Sequence, residues 1–406
     1  MQSEAFADAA RLHPKAFRRN RSLPLPTLTA FLLGGPRRSL QSELDTFFDQ
    51  LAPTANLSVS KSACCQARMN LNPAALAELL RLSANLLTDR FDAARWQGLR
   101  VLALDTTVIR VPNNPECALH FSYMNTSCGK WRALARASAL WDVSRQCFVD
   151  AVLGAYAETD RDLALRHLPA LTCKDLVIMD RGYPSRDLMR AFHERGIPFC
   201  ARITTRNWGA VNRFVRSDRT DQVVEMGDRH QALPLRLLRH VLPNGATLVL
   251  VTNVLSPEVS PTDFAELYRQ RWRIEEAFKH IKARLQIENW SGCLPVTVEQ
   301  DFHATLVRAN CAACLRLAAL PAGLPEAVND ALSSGWRRRQ NMAYSVSCLQ
   351  GFLPRLLLLP DRSGLLERLI ARLSGAGGHV ITRSGRSAKR VIGVRIQGFH
   401  SAYKAA

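Results

Sequence analysis

Two short apolar runs constrain this chain more than any other feature, because each stops on an aspartate. Residues 99–104 end at Asp105, and residues 176–179 end at Asp180. Short apolar runs bounded by polar residues suit strands buried on both faces. The segments around them alternate. Residues 133–141 and 147–153 read as strands joined by a polar turn, 158–168 as a helix, 185–195 as a helix stopped by Gly196, and 198–203 as a further strand. That order specifies an α/β domain with a mixed sheet. A carboxylate at the end of a buried strand projects into a cleft, where it can hold a cation. Taken singly, either aspartate is equally a turn residue.

The flanking segments differ in kind. Residues 1–95 read as all-helical, with helices over 5–19, 39–52, 63–69 capped by Ser60, and 73–87 started by Pro73; Pro24, Pro26, Gly34, Gly35 and Pro36 punctuate the link between the first two. Residues 206–255 break the alternation with short strand-like segments at 222–226, 233–238 and 247–252, which predicts a β-rich insertion between 96–205 and 256–320. Thr262 then caps a helix over 263–285, and residues 301–320 form an apolar helix. Residues 321–406 form a basic C-terminal region, helical to about Leu373. There is no internal repeat.

Charge separates these parts. The chain carries 54 Lys and Arg against 35 Asp and Glu, a net charge of +19. Residues 1–40 contribute +5 and residues 331–406 contribute +11, leaving +3 for the 290 residues between them. Basic ends around a near-neutral middle fit an anionic partner, DNA or RNA, because each neutralised phosphate releases a counterion. Arg outnumbers Lys 46 to 8, which base composition of the gene could also produce. No apolar run is long enough to span a membrane, and no secretion signal opens the chain, so the expected compartment is the cytoplasm. The eleven cysteines are scattered and fit reduced thiols; Cys311 and Cys314 read as core residues on one helix face. None of the ten histidines has paired metal-ligand spacing, no Gly-rich phosphate loop precedes a helix, and no nucleophile elbow is present.

The helix after the insertion carries the third carboxylate. Tyr268, Arg271, Glu275 and Lys282 stand at offsets 0, 3, 7 and 14. At about 100° per residue they fall within about 60° of one another, one polar stripe. Leu267, Ile274, Phe278, Ile281 and Leu285 form a neighbouring apolar stripe, and Arg269, Arg273, His280 and Arg284 are expected to face outward. Three carboxylates converging from two strands and a helix suit divalent metal catalysis on phosphodiesters, since carboxylate oxygens are hard ligands for Mg²⁺ or Mn²⁺.

Tyr-x2-Arg-x3-Glu-x6-Lys is the signature of the DDE transposases of the insertion sequence 4 group, and Tyr268, Arg271, Glu275 and Lys282 match it at every spacing. Asp180-Arg181-Gly182-Tyr183, followed by Phe199-Cys200-Ala201-Arg202, resembles that family's second-Asp region, and Leu104-Asp105-Thr106-Thr107 resembles its first. Ser60 to Leu71, with Ala63, Gln66, Ala67 and Arg68, is similar to the family's N-terminal helical segment. The resemblance covers roughly residues 25–320.

The resemblance implies an RNase H-like mixed sheet interrupted by the β-rich insertion, with Asp105, Asp180 and Glu275 as catalytic metal ligands for Mg²⁺ or Mn²⁺, two ions in all. It implies DNA contacts by Tyr268, Arg271, Lys282, Arg181, Tyr183 and Arg202. It implies a bacterial, cut-and-paste reaction on double-stranded DNA by a homodimer bridging two transposon ends. Some relatives stack a flipped base on a tryptophan of the insertion; between residues 142 and 271 this chain has Trp208 alone, at the start of that region, so the role is not carried over. Two other readings stand beside this one: a metal nuclease of the same fold without strand transfer, and a transposase-derived DNA-binding protein that no longer cuts.

Overall fold

The structure is a computed structural model that describes residues 3–383, except 19–22, 37, 52–57, 126–128, 205–207, 228–231, 243–244, 320–330, 333–335 and 376–377. The chain forms two compact units. The first comprises Met1–Ala93, Ile109–Ala135 and His280–Ala406; the second comprises Ala94–Val108 and Arg136–Lys279.

The first unit opens with five helices: α1 (Glu4–Ala9), α2 (Leu25–Gly34), α3 (Leu40–Leu51), α4 (Lys61–Arg68) and α5 (Pro73–Arg90). Helix α1 is shorter than the expected 5–19, because Arg11 pairs with Leu71 and Asn72 N–H reaches the Ala10 carbonyl at 2.9 Å. Helix α2 was not expected. Its prolines stand at the N-cap and in the first turn, where a missing N–H costs nothing, and Gly35 ends it at φ 68. Ser60 caps α4 as expected, accepting from Ala63 N–H at 3.2 Å.

The chain continues through β1 (Arg100–Arg110), α6 (Pro115–Phe121), β2 (Tyr123–Asn125), β3 (Trp131–Asp142), β4 (Cys147–Ala155), α7 (Asp160–Leu165), β5 (Asp175–Met179), α8 (Arg186–Glu194), β6 (Phe199–Arg202), α9 (Gly209–Arg216), β7 (Asp221–Met226), β8 (Leu233–Val241), β9 (Thr247–Thr252), α10 (Pro261–Arg269), α11 (Trp272–Ala283) and α12 (Pro295–Ala318). The strands form a nine-stranded sheet in the order β2-β3-β1-β5-β6-β9-β8-β7, with β4 on β3. The chain is therefore a mixed α/β fold: β5 pairs in parallel with β1 and β6, whereas β6-β9, β9-β8 and β8-β7 are antiparallel. Every residue of β5 is buried, as its apolar run requires. Two expectations change. The strand expected to stop at Asp105 continues through it to Arg110, because Thr106, Thr107, Val108 and Ile109 are β-branched and no turn residue interrupts them. The strands of 206–255 extend the main sheet through the β6-β9 pairing, and the segment also contains a helix, α9.

The C-terminal region, expected to be helical, has α13 (Met342–Gln350), α14 (Leu353–Leu358) and α15 (Ser363–Ser374), together with a three-stranded sheet of β10 (Ala331–Leu332), β11 (Trp336–Gln340) and β12 (His379–Arg383). Most of the basic tail after Gly375 lies outside the described residues. Among the described residues, no helix is long and apolar enough to cross a membrane. The ten described cysteines are free thiols; desolvation pushes the half-buried Cys311 thiol up to about 12, but Cys314 is exposed, so the two are not the core pair expected.

One buried arginine ties the N-terminal helices of the first unit to α12. Arg68 is 1% exposed. It donates to Gln300 Oε1 at 2.9 Å, Ser291 Oγ at 2.5 Å, the Thr297 carbonyl at 2.9 Å and Asp301 Oδ1 at 3.0 Å. Gln300 in return donates to the Arg68 and Leu71 carbonyls, each at 2.8 Å. Removing one partner of such a network leaves the others buried and unpaired. Arg68→Met should cost about 3 kcal/mol or more in urea unfolding. A loss below about 1 kcal/mol, the worth of a single net hydrogen bond, would show that the network is not a tie.

Candidate active site

The site is built from the register of two parallel strands in the second unit. β1 and β5 pair from Arg100↔Asp175 to Leu104↔Met179. Asp105 and Asp180 each follow the last pair of that register, and the Asp180 charge acts on Asp105. Asp105 Oδ1 accepts from the Thr106 N–H at 2.9 Å. Burial pushes the Asp105 carboxyl up to about 6; the Thr106 hydrogen bond and the Arg271 charge oppose this, and Glu275 and Asp180 add to it.

Glu275 comes from α11. The expected single helix over 263–285 is two helices, and Ser260 rather than Thr262 caps the first, in a capping box with Asp263. The break has a definite form. Arg271, Arg273 and Ile274 N–H groups bond three residues back, to the carbonyls of Tyr268, Gln270 and Arg271. Such tighter turns shift the phase of the helix face. They aim Arg271 inward, where it is 5% exposed.

Arg271 holds two of the three carboxylates. Its Nη1 donates to Asp105 Oδ2 at 3.3 Å, and its Nη2 donates to Glu275 Oε1 at 2.7 Å. Tyr268 holds the third, donating from its hydroxyl to Asp180 Oδ1 at 3.2 Å. Burial and the Asp180 charge push the Tyr268 phenol up, so it stays a donor. Burial works against the Arg271 charge, but the Glu275 hydrogen bond and the fields of Tyr268, Asp180 and Asp105 outweigh it and raise its pKa. One guanidinium thus joins Asp105 to Glu275, and one phenol holds Asp180.

The remaining predicted residues divide. Arg181 and Arg202 are exposed in the second unit. Tyr183 is 2% exposed; burial pushes its phenol far up, and Asp105, Asp160 and Asp180 act on it, so it packs beneath the strand ends and does not face solvent. Lys282 belongs to the first unit, where burial lowers its pKa while Glu288 and Arg110 act on it in opposite senses. Arg273, expected to face outward, donates to the Val143 carbonyl at 3.0 Å. His280, also expected outward, is partly buried, and burial with Arg284 and Arg316 lowers its pKa.

Two polar sets escaped the sequence reading. Asp160 accepts from Thr106 Oγ1 and from Arg136 Nη1, each at 2.7 Å, and so braces the residue next to Asp105. In sequence it reads as an ordinary first-turn acid of a capped helix. His167 lies between Asp150 Oδ2 at 2.6 Å and Ser138 Oγ at 2.9 Å, with all three side chains in the sheet's core. This resembles a hydrolytic relay in order only. Nothing can reach it, and it cross-links β3, β4 and the turn after α7.

As the side chains stand, no group of three or more His, Cys, Asp or Glu among the described residues could hold a metal ion. Asp105 and Glu275 are instead joined through the Arg271 guanidinium. The donor chemistry nonetheless suits a hard divalent ion. It is all oxygen, and one of its carboxyls is pushed up by burial and by its two neighbours.

The comparisons give the chain's family. The Transposase DDE domain family matches residues 96–311, which include all three carboxylates, and the chain belongs to that family. It is of the insertion sequence 4 type: the transposase InsG for insertion sequence element IS4 of Escherichia coli K12 is 23% identical over 375 residues, covering 88% of this chain and 78% of that protein. Among solved structures, a cryo-EM structure of the piggyBac transposase synaptic complex with hairpin DNA matches with a TM-score of 0.44 and 10% identity, over 90% of this chain and 80% of that one.

A carboxyl whose folded pKa is raised stabilises the fold below its unfolded value and loses that contribution as pH rises through the folded value. For Asp105 the window runs from 3.8 to about 6. In metal-free buffer, Asp105→Asn should therefore gain stability relative to the parent between those pH values, by about 1 kcal/mol or more, and hold the gain above them. Denaturation series at pH 4.5 and 7.5 measure it; a constant difference between the two would mean that the carboxyl is not raised.

Proposed function

We propose that the protein is a DNA transposase that binds the ends of its insertion sequence, cleaves phosphodiesters there and joins the 3′-OH ends to target DNA by a cut-and-paste route. The observation that carries this reading is Arg271 held between Asp105 and Glu275, with Tyr268 on the neighbouring Asp180, in a chain of the DDE transposase family. Asp105, Asp180 and Glu275 would hold Mg²⁺ or Mn²⁺ on an RNase H-like sheet. When bound, two such ions supply activation of the attacking oxygen and stabilisation of the leaving oxygen.

The chain's own residues do the positioning. Thr106 and Asp160 fix the backbone and side chain at Asp105, and Tyr268 fixes Asp180, so the ligands need little reorganisation. Arg271 and Lys282 would hold the scissile strand, and the exposed Arg181 and Arg202 would contact phosphates beside it. Tyr183, being buried, would serve the site by packing within the protein and not by touching DNA. The basic ends would supply sequence-independent grip, and a homodimer would bridge two ends in the bacterial cytoplasm.

Asp105→Asn, Asp180→Asn and Glu275→Gln each remove a ligand charge with little change in shape. Each should lower nicking of a labelled end duplex in Mg²⁺ by about 10²-fold or more, while gel-shift binding of the duplex persists. Near-normal nicking by one variant would remove that residue from the site. Binding itself should weaken steeply with salt, log K falling by about 0.9 per phosphate contacted for each tenfold rise. A flat dependence would contradict a phosphate grip.

A further inference from the structure

We infer that Arg271 is a built-in counter-ion that keeps divalent cations out of the carboxylate set until its guanidinium is drawn away. This rests on reading Asp105, Asp180 and Glu275 as metal ligands, and adds that the site opens by exchange of one cation for another. Three features of Arg271 support it. Its fork joins Asp105 Oδ2 at 3.3 Å and Glu275 Oε1 at 2.7 Å, so the same oxygens cannot face a metal while it stays. Its Nε is buried with no hydrogen-bond partner, so the clasp leaves one of its donors unsatisfied. Its guanidinium stands 5.3 Å from the ring of Trp272, which is 50% exposed, so an aromatic face stands beside it toward solvent.

The carboxylates are more open than the arginine. The Asp105 and Glu275 side chains are 18% and 24% exposed, against 5% for Arg271. Water can therefore reach the oxygens while the charge that balances them is inside. Without Arg271, three carboxylates would repel one another across the site, and a divalent cation would be the natural replacement. A phosphate of bound DNA would compete for the freed guanidinium, so substrate and metal would each favour the other, reciprocally. That would keep the cutting site closed when no DNA is bound.

The test is cation affinity, not activity. Mg²⁺ and Mn²⁺ are titrated into the DNA-free, full-length protein by calorimetry, for the parent, Arg271→Gln, Arg271→Ala and Arg271→Lys, with melting temperatures to confirm folding. The Gln and Ala variants should bind cation about tenfold tighter or more, in line with ordinary coupling between competing ligands. The Lys variant, which keeps a charge but lacks the fork, should fall between them and the parent. In the parent, cation binding should also change Trp272 emission, and Trp272→Phe should remove that change. Parent and Gln variant binding equally tightly, or binding without a Trp272 signal, would overturn the counter-ion role and leave the metal reading intact. No binding by any of the four proteins would overturn the metal reading itself.

Discussion

The parallel pairing of β1 with β5 is the constraint on which the site depends. Its register ends at Leu104↔Met179, and the two residues that follow are Asp105 and Asp180. Because the side-chain period of a strand is two, a slip of one residue would send one aspartate to the opposite face. The apolar residues before them fix the register: Val101 to Leu104 and Leu176 to Met179 are all buried. Hydrophobic burial thus sets the spacing of two charges that would not choose to be neighbours. The rest of the second unit answers that choice, with Arg271 between Asp105 and Glu275, Tyr268 on Asp180, and Asp160 bracing Thr106.

Much of this was legible in the sequence, for identifiable reasons. The buried strands announce themselves as short apolar runs, and Ser60, Pro73 and Gly196 mark helix ends by capping chemistry that depends on a residue or two. The signature spacing found Glu275. What was illegible depended on distant partners. That Asp105 lies within a continuous strand follows from the β-branched residues after it, which the polar character of Asp105 and the two threonines obscured. The joining of β9 to β6 is a choice among edges that local pattern cannot make. The break at Gln270 shows no proline or glycine; a straight-helix projection left Arg273 exposed as expected but misplaced His280, which is partly buried.

The same limit explains the roles of the arginines. A sequence offers 46 of them with little to tell them apart. Burial separates them. Arg68 satisfies four acceptors within the first unit and is structural. Arg271 is also buried, but the acceptors it joins are two of the carboxylates proposed as metal ligands, which sets it apart from a structural tie. Buried charges persist in folds when they are paired.

The central claim is that Asp105, Asp180 and Glu275 converge on divalent cation. Its most direct measurement is an anomalous difference map from crystals of the protein bound to its end duplex in Mn²⁺. The account predicts manganese density bounded by these three carboxylates, with Arg271 withdrawn from Asp105 and Glu275. Manganese held elsewhere at saturation, with the Arg271 fork still joining the two carboxylates, would contradict it.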